Sequence, residues 1–185
     1  MTYQIHDEAS AKGSAAELLK AAKGKYGFVP NLLGTMAEAP ALLKAYMTLG
    51  GIFEETSFDA TEKQIVLLAV SFANGCSYCM AAHSAIAAMQ NVPEEVISAL
   101  RENTPIPDEK LETLRRLAQE IATSRGYPSE ETVSAFLDSG YSQGQILETV
   151  LGVGFKTLSN YTNHIAQTPL DGAFESAAWT ADQAA

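Results

Sequence analysis

Two thiols and an imidazole crowd one short stretch of this chain. Asn74-Gly75-Cys76-Ser77-Tyr78-Cys79-Met80-Ala81-Ala82-His83 holds both cysteines and one of the three histidines. On a helix, Cys76, Cys79 and His83 share a face, because residues three and four apart are neighbours there. Gly75 reads as a break, which places Cys76 in the first turn of a new helix. The free amides of that turn carry partial positive charge and favour a thiolate over a thiol. His83 can give or take a proton beside Cys79. These are the parts of a dithiol/disulfide redox centre.

Three other readings of the same residues stay open. A zinc site would use C-x2-C and His83, with His6 or His164 as the fourth ligand. A structural disulfide would close so small a loop that it constrains the unfolded chain little. Two buried cysteines could also serve as small hydrophobes, with His83 satisfied in the core.

The bulk properties narrow the partners. A length of 185 residues allows one compact domain, or two lobes sharing a core. The apolar content, rich in alanine and leucine, suits a helical protein. A net charge of -10 argues against nucleic acid and anionic membrane surfaces. No apolar run reaches the roughly 18 residues that a membrane span needs. The N-terminal residues lack the basic start and apolar core of a secretory signal, so a cytoplasmic location is expected. In that compartment a lone C-x-x-C is catalytic or metal-binding rather than structural.

The elements around the thiols follow from caps and periodicity. Residues 1–13 read as an irregular arm. Ser14 with Glu17 has the form of a capping box and predicts a helix over 14–23. Short helices are expected over 31–37 and, opened by Pro40, over 41–55. Asp59 and Glu62 form a second capping signature, followed by an almost wholly apolar run at 65–73. Such a helix belongs in the middle of a bundle or at a subunit interface. The redox segment continues it to about residue 90. Helices then follow over 93–101, 108–125, 130–138 and 146–167, and 104–107 is the best internal boundary. Phe174 and Trp179 in the tail are expected to dock on a neighbour, with loose polar residues after them. Leu68, Val70, Phe72 and Tyr78 echo Leu151, Val153, Phe155 and Tyr161 at an offset of 83, which suggests old halves at 1–104 and 105–185.

With these residues in view, the stretch from Glu62 to His83 resembles the AhpD-like, or carboxymuconolactone decarboxylase-like, superfamily, in its peroxidase-related alkylhydroperoxidase branch. Glu62, Val70-Ser71, Asn74-Gly75-Cys76, Tyr78-Cys79 and His83 carry the resemblance. Gly27-Phe28-Val29-Pro30-Asn31, Asn160-Tyr161 and His164 add to it. It implies an all-α fold, a bundle of roughly eight helices in a single domain over 1–185, and an obligate homo-oligomer. It implies peroxide reduction through the C-x-x-C pair, with no metal or cofactor.

By position, Cys79 would be the peroxidatic thiol that passes through a sulfenic acid. Cys76 would resolve it as a disulfide, and His83 would belong to the proton relay. An external dithiol would return the pair to its reduced form. The sequence departs from the family at two relay positions. Gln64 stands twelve residues before Cys76, where AhpD proper has a carboxylate, and Tyr78 replaces a relay histidine. Glu62 is the nearest carboxylate and would take the relay role, unless it is held in its capping box. Tyr78 also reads as a packing residue with a bonded hydroxyl, His164 as a core histidine or a distant relay group, and His6 as a surface residue. The alternatives are a decarboxylase-type enzyme and a non-enzymatic zinc- or thiol-based redox sensor.

Overall fold

The computed structural model describes residues 3–180 and is all-α. The helices are α1 (Ser14–Tyr26), α2 (Asn31–Met36), α3 (Pro40–Glu54), α4 (Ala60–Ala73), α5 (Ser77–Met89), α6 (Glu94–Glu102), α7 (Glu109–Thr123), α8 (Glu130–Asp138) and α9 (Gln143–Ala166). A 3-10 turn, Gly172–Ala177, follows α9.

The apolar run forms α4, the centre of the bundle. Its capping box is complete: the Asp59 carboxylate accepts from the Glu62 amide, and Glu62 accepts from the Asp59 amide. Ile65, Val66, Leu68 and Val70 are fully buried. α5 and α9 both pack against α4, and so does α7 from beyond the 104–107 boundary. One core surrounds α4 and includes Phe53, Leu114, Leu117 and Phe136. A second core, built from Leu19, Leu33, Met36 and Leu43, closes over Cys76 and Cys79.

Several local expectations need correction. Ser14 and Glu17 do not form a capping box, because Gly13 occupies the N-cap and no side chain caps α1. That helix runs on to Tyr26 and stops where Gly27 takes φ +82°, a left-handed turn that glycine adopts without strain. α9 begins at Gln143 rather than at residue 146, because Ser142 and Gln145 form a second full capping box.

The two features that predicted an oligomer are satisfied within the chain. α4 is covered by its own neighbours. The Trp179 ring meets Phe72 edge-on at 5.6 Å, and its indole N–H donates to the Arg101 carbonyl at 2.9 Å. Phe174 packs edge-on against Phe28 and Tyr78. The loose tail expected after Trp179 lies almost wholly outside the described residues.

Candidate functional site

The break at Gly75 is real, with φ +64° at that residue. It ends α4 and turns the chain so that Cys76 becomes the N-cap of α5. Cys76 therefore precedes the first turn, and Cys79 lies within it. The unpaired amides of that turn lie close to both residues and do not by themselves choose between them. Both cysteines are free and only 1% exposed, so Cys76 is no more open than Cys79.

The two sulfurs converge on α9. The Asn163 side-chain amide lies 3.3 Å from Cys79 Sγ and 3.7 Å from Cys76 Sγ. The Ser159 hydroxyl is 3.7 Å from Cys79 Sγ and donates to the Lys156 carbonyl at 3.0 Å. Asn160 accepts from Asn74 at 2.8 Å and reaches Ser71, which ties the end of α4 to the same helix. Lys156, Ser159, Asn160 and Asn163 fall at helical spacing on one face, and all four are buried. Sequence reading missed this stripe as a unit. The available signal was four polar residues at i, i+3, i+4 and i+7 on the otherwise apolar face of α9.

This arrangement splits the two thiols. Burial opposes a Cys79 thiolate, but hydrogen bonding from Cys76 and then the Lys156 charge outweigh it. They hold Cys79 well below the usual thiol range. Cys76 is driven the other way, chiefly because its S–H donates to Cys79 and secondly by burial. The pair is thereby biased toward a thiolate on Cys79 and a thiol on Cys76.

Lys156 is fully buried, and its Nζ has no hydrogen-bond partner. His83, one turn beyond Cys79, is pushed well below its ordinary pKa by burial and by the same lysine. It is therefore neutral, and the positive charge beside Cys79 comes from Lys156, not from an imidazolium. His83 Nδ1 donates to Gln64 Oε1 at 3.1 Å, which leaves Nε2 as the acceptor. Gln64 in turn donates to Gln90.

The structure brings Cys76, Cys79 and His83 onto one face of α5 and leaves Glu62 apart from them. One Glu62 carboxylate oxygen is held in the capping box, and the other lies 3.6 Å from Lys110. Two positions along a helix turn about 200°. Gln64 consequently faces α5 while Glu62 faces α7.

Tyr78 also points away from the sulfurs. Its hydroxyl donates to Asp171 at 2.5 Å and accepts from the Leu32 amide at 3.3 Å. Asp171 accepts the Asn31 amide at 3.0 Å and so closes the start of α2. The stretch 27–31 and Tyr78 are thereby one structural clamp. His164 is exposed on α9 and stacks beside Tyr161 rather than entering the core. His6 is more than a surface residue: it bonds Glu38 at 2.6 Å, with a side chain only 14% exposed.

Zinc would need further donors around the thiols. The side chains that meet the sulfurs are an amide, a hydroxyl and a cationic lysine, and the lysine repels a metal ion. Among the described residues, no group of three His, Cys, Asp or Glu is arranged to hold one. An apolar groove of about 360 Å³ lies near the thiols, lined by Met36, Leu42, Leu158, Tyr161 and Ile165. Met36 also belongs to the cluster that encloses Cys76 and Cys79, and Leu42 packs against that cluster. No helix among the described residues is long and apolar enough to cross a membrane.

Comparison with known proteins agrees with this architecture. Residues 40–120 match the Carboxymuconolactone decarboxylase family. No curated protein matches the sequence significantly. The fold is similar to an alkylhydroperoxidase AhpD core, an uncharacterized peroxidase-related protein from Ralstonia eutropha JMP134, with TM-score 0.79 and 21% identity over 93% of each chain. It is similar to a debrominase, Bmp8, solved in complex with 2,3,4-tribromopyrrole, with TM-score 0.80 and 19% identity over 96% of this chain and 95% of that one. An uncharacterized peroxidase-related protein from Silicibacter sp. TM1040 aligns with TM-score 0.77 and 17% identity over 92% of this chain and 93% of that one. The helical bundle and these likenesses give the chain an AhpD-like fold, and its segment from α3 to α7 is similar to the Carboxymuconolactone decarboxylase family.

Proposed function

We propose that this protein is a thiol-dependent hydroperoxide reductase. Cys79 is the attacking thiolate and Cys76 the resolving thiol. The observation that carries this reading is the split of the pair: the Cys76 S–H and the Lys156 charge favour a thiolate on Cys79, and the Asn163 amide lies 3.3 Å from its sulfur. Only a thiolate attacks a peroxide oxygen at a useful rate. Attack cleaves the O–O bond and leaves a sulfenic acid on Cys79 and an alcohol. Cys76 condenses with the sulfenic acid, releases water and closes the disulfide. An external dithiol reduces it through a mixed disulfide. The two thiols have no task in decarboxylase-type chemistry, which needs neither of them.

Buried thiols need an opening, and the Met36–Leu42 wall of the apolar groove is where we place it. An apolar vestibule suits organic hydroperoxides. Gln64 and neutral His83 take the position of the relay, and Glu62 serves the fold.

The test is a single-turnover reaction with an organic hydroperoxide, followed by dimedone trapping and mass spectrometry. Cys76→Ser should accumulate a sulfenic acid on residue 79, and Cys79→Ser should give none. A sulfenic acid on Cys76 in the latter would reverse the roles. Inertness of the wild type to every peroxide would sink the reading. The debrominase Bmp8 shares the fold, so 2,3,4-tribromopyrrole belongs in the same assay as a competing electrophile.

A further inference from the structure

We propose that the Lys156 ammonium is the acid that protonates the departing oxygen when Cys79 is oxidised, giving up its own charge in that step. This rests on the reading of the thiols as a peroxide-reducing pair.

The argument begins with a charge that has nowhere else to go. Lys156 is fully buried, its Nζ has no hydrogen-bond partner, and it forms no ion pair with a carboxylate among the described residues. An ammonium left unpaired in so dry a place is strongly disfavoured. The groups around it can be counted. From α5 they are Cys76, Cys79 and His83. From α3 comes Tyr46, whose hydroxyl meets Ser159. Along α9 itself stand the uncharged Ser159, Asn160 and Asn163, and α4 adds Ser71, which bonds Asn160.

Only one of these is an anion. Cys76 is kept as a thiol, chiefly by its bond to Cys79. Burial keeps the Tyr46 phenol protonated and His83 neutral. Among these described residues, the Cys79 thiolate is therefore the counter-charge of Lys156. The two charges form a unit, and removing one leaves the other stranded.

Oxidation removes the negative charge. The Cys79 thiolate, a hydroperoxide ROOH and the Lys156 ammonium give Cys79 sulfenic acid, the alcohol ROH and a neutral Lys156 amine. The S–O bond forms, the O–O bond breaks, and the lysine proton ends on the alcohol. Cys76 thiol and the sulfenic acid then give the disulfide and water. The external dithiol returns two electrons and two protons, restoring the Cys76 thiol, the Cys79 thiolate and the ammonium. Neutral His83 is too weak an acid for the first step, and Glu62 is occupied at the far side of α4.

Lys156→Met and Lys156→Arg test this. Methionine removes the charge and the proton, and replacing a buried charge by an apolar side chain is commonly tolerated by the fold. Arginine keeps the charge and does not release a proton. Circular dichroism establishes that each variant is folded. In reduced wild type the thiolate absorbance at 240 nm should be present at neutral pH. It should vanish in Lys156→Met and persist in Lys156→Arg.

Single-turnover rates should fall by about 100-fold in Lys156→Arg, the scale of a lost general acid, and further in Lys156→Met, which loses the thiolate as well. The loss should steepen across a series of hydroperoxides with less acidic alcohols, while wild type stays nearly flat. The equilibrium of wild type with dithiothreitol should not vary between pH 6 and 7.5, because both couples release two protons. A lysine that stayed charged would make it shift tenfold per pH unit. Lys156→Arg matching wild type in rate and in leaving-group dependence would overturn the acid role. Thiolate persisting in Lys156→Met would overturn the pairing. A wild type inert to every hydroperoxide refutes the peroxidase reading itself, while the absorbance and the proton count still decide whether Lys156 and Cys79 charge together.

Discussion

The side-chain nitrogen of Asn163 serves both sulfurs, at 3.3 Å from Cys79 and 3.7 Å from Cys76. A single donor between two thiols orients the pair and favours negative charge on the nearer one. A hydrogen bond to a charged acceptor contributes about 1.5–3 kcal/mol. Asn163→Leu should therefore slow iodoacetamide alkylation of Cys79 at pH 7 by roughly tenfold or more. Asn163→Asp should slow it further, because a carboxylate beside the thiolate repels it. Rates unchanged in both variants would show that Asn163 only fills space.

Tyr78 sits between the cysteines in sequence, but its hydroxyl is turned away from their sulfurs. Its hydroxyl joins Asp171 and the Leu32 amide. Tyr78→Phe leaves a buried carboxylate short of a donor, at a cost of about 1–3 kcal/mol. Urea denaturation should register that loss, while alkylation of Cys79 keeps its wild-type rate. A slowed thiol with unchanged stability would return Tyr78 to the relay.

Much of the scaffold was legible in the sequence, because caps and apolar periodicity are local. Asp59–Glu62 announced α4, and the all-apolar run announced its central place. The cysteines announced the candidate site. Its other half was hidden because it lies some eighty residues away on α9. Polar residues such as Lys156 and Asn163 ordinarily face water, and nothing local signals that this face turns inward. The choice between the two helix-start cysteines was equally obscured, since Lys156 and Asn163, which bias it, come from that distant helix.

Glu62 offers a clean separation of cap from relay. Glutamine can fill the same position in a capping box. Glu62→Gln should keep the helix start, lose only the weak attraction to Lys110, and leave peroxide reduction at the wild-type rate. Glu62→Ala should cost about 1 kcal/mol of stability through the lost bond to the Asp59 amide. A large drop in single-turnover rate for Glu62→Gln would place this carboxylate in the proton path after all.

His83 should make the fold sensitive to mild acid. Burial, and then Lys156, hold its pKa well below the ordinary value. Below about pH 6.5 the unfolded chain binds a proton that the native state refuses, so stability rises with pH and falls on acidification. The slope from this one group is at most about 1.4 kcal/mol per pH unit between its folded and unfolded pKa values. His83→Gln should flatten the pH dependence of urea midpoints between pH 5 and 6.5. An unchanged slope would mean that His83 titrates normally in the native protein.

Gly152 sets how closely α9 approaches α4. A Cβ there would lie 2.5 Å from Val66 Cγ1 and 2.9 Å from the Phe53 ring, both in the central core. Neither neighbour has room to withdraw, because Val66 is fully buried and Phe53 is 1% exposed. Gly152→Ala should thus cost about 1–3 kcal/mol by overpacking, despite the better helix propensity of alanine. Lys156, Ser159 and Asn163 follow on the same helix, so the displacement should also loosen their hold on the sulfurs. Denaturation and Cys79 alkylation should shift together in this variant, whereas in Tyr78→Phe only stability moves. Gly154, whose Cβ would meet open space, is the control, and Gly154→Ala should leave both measurements unharmed.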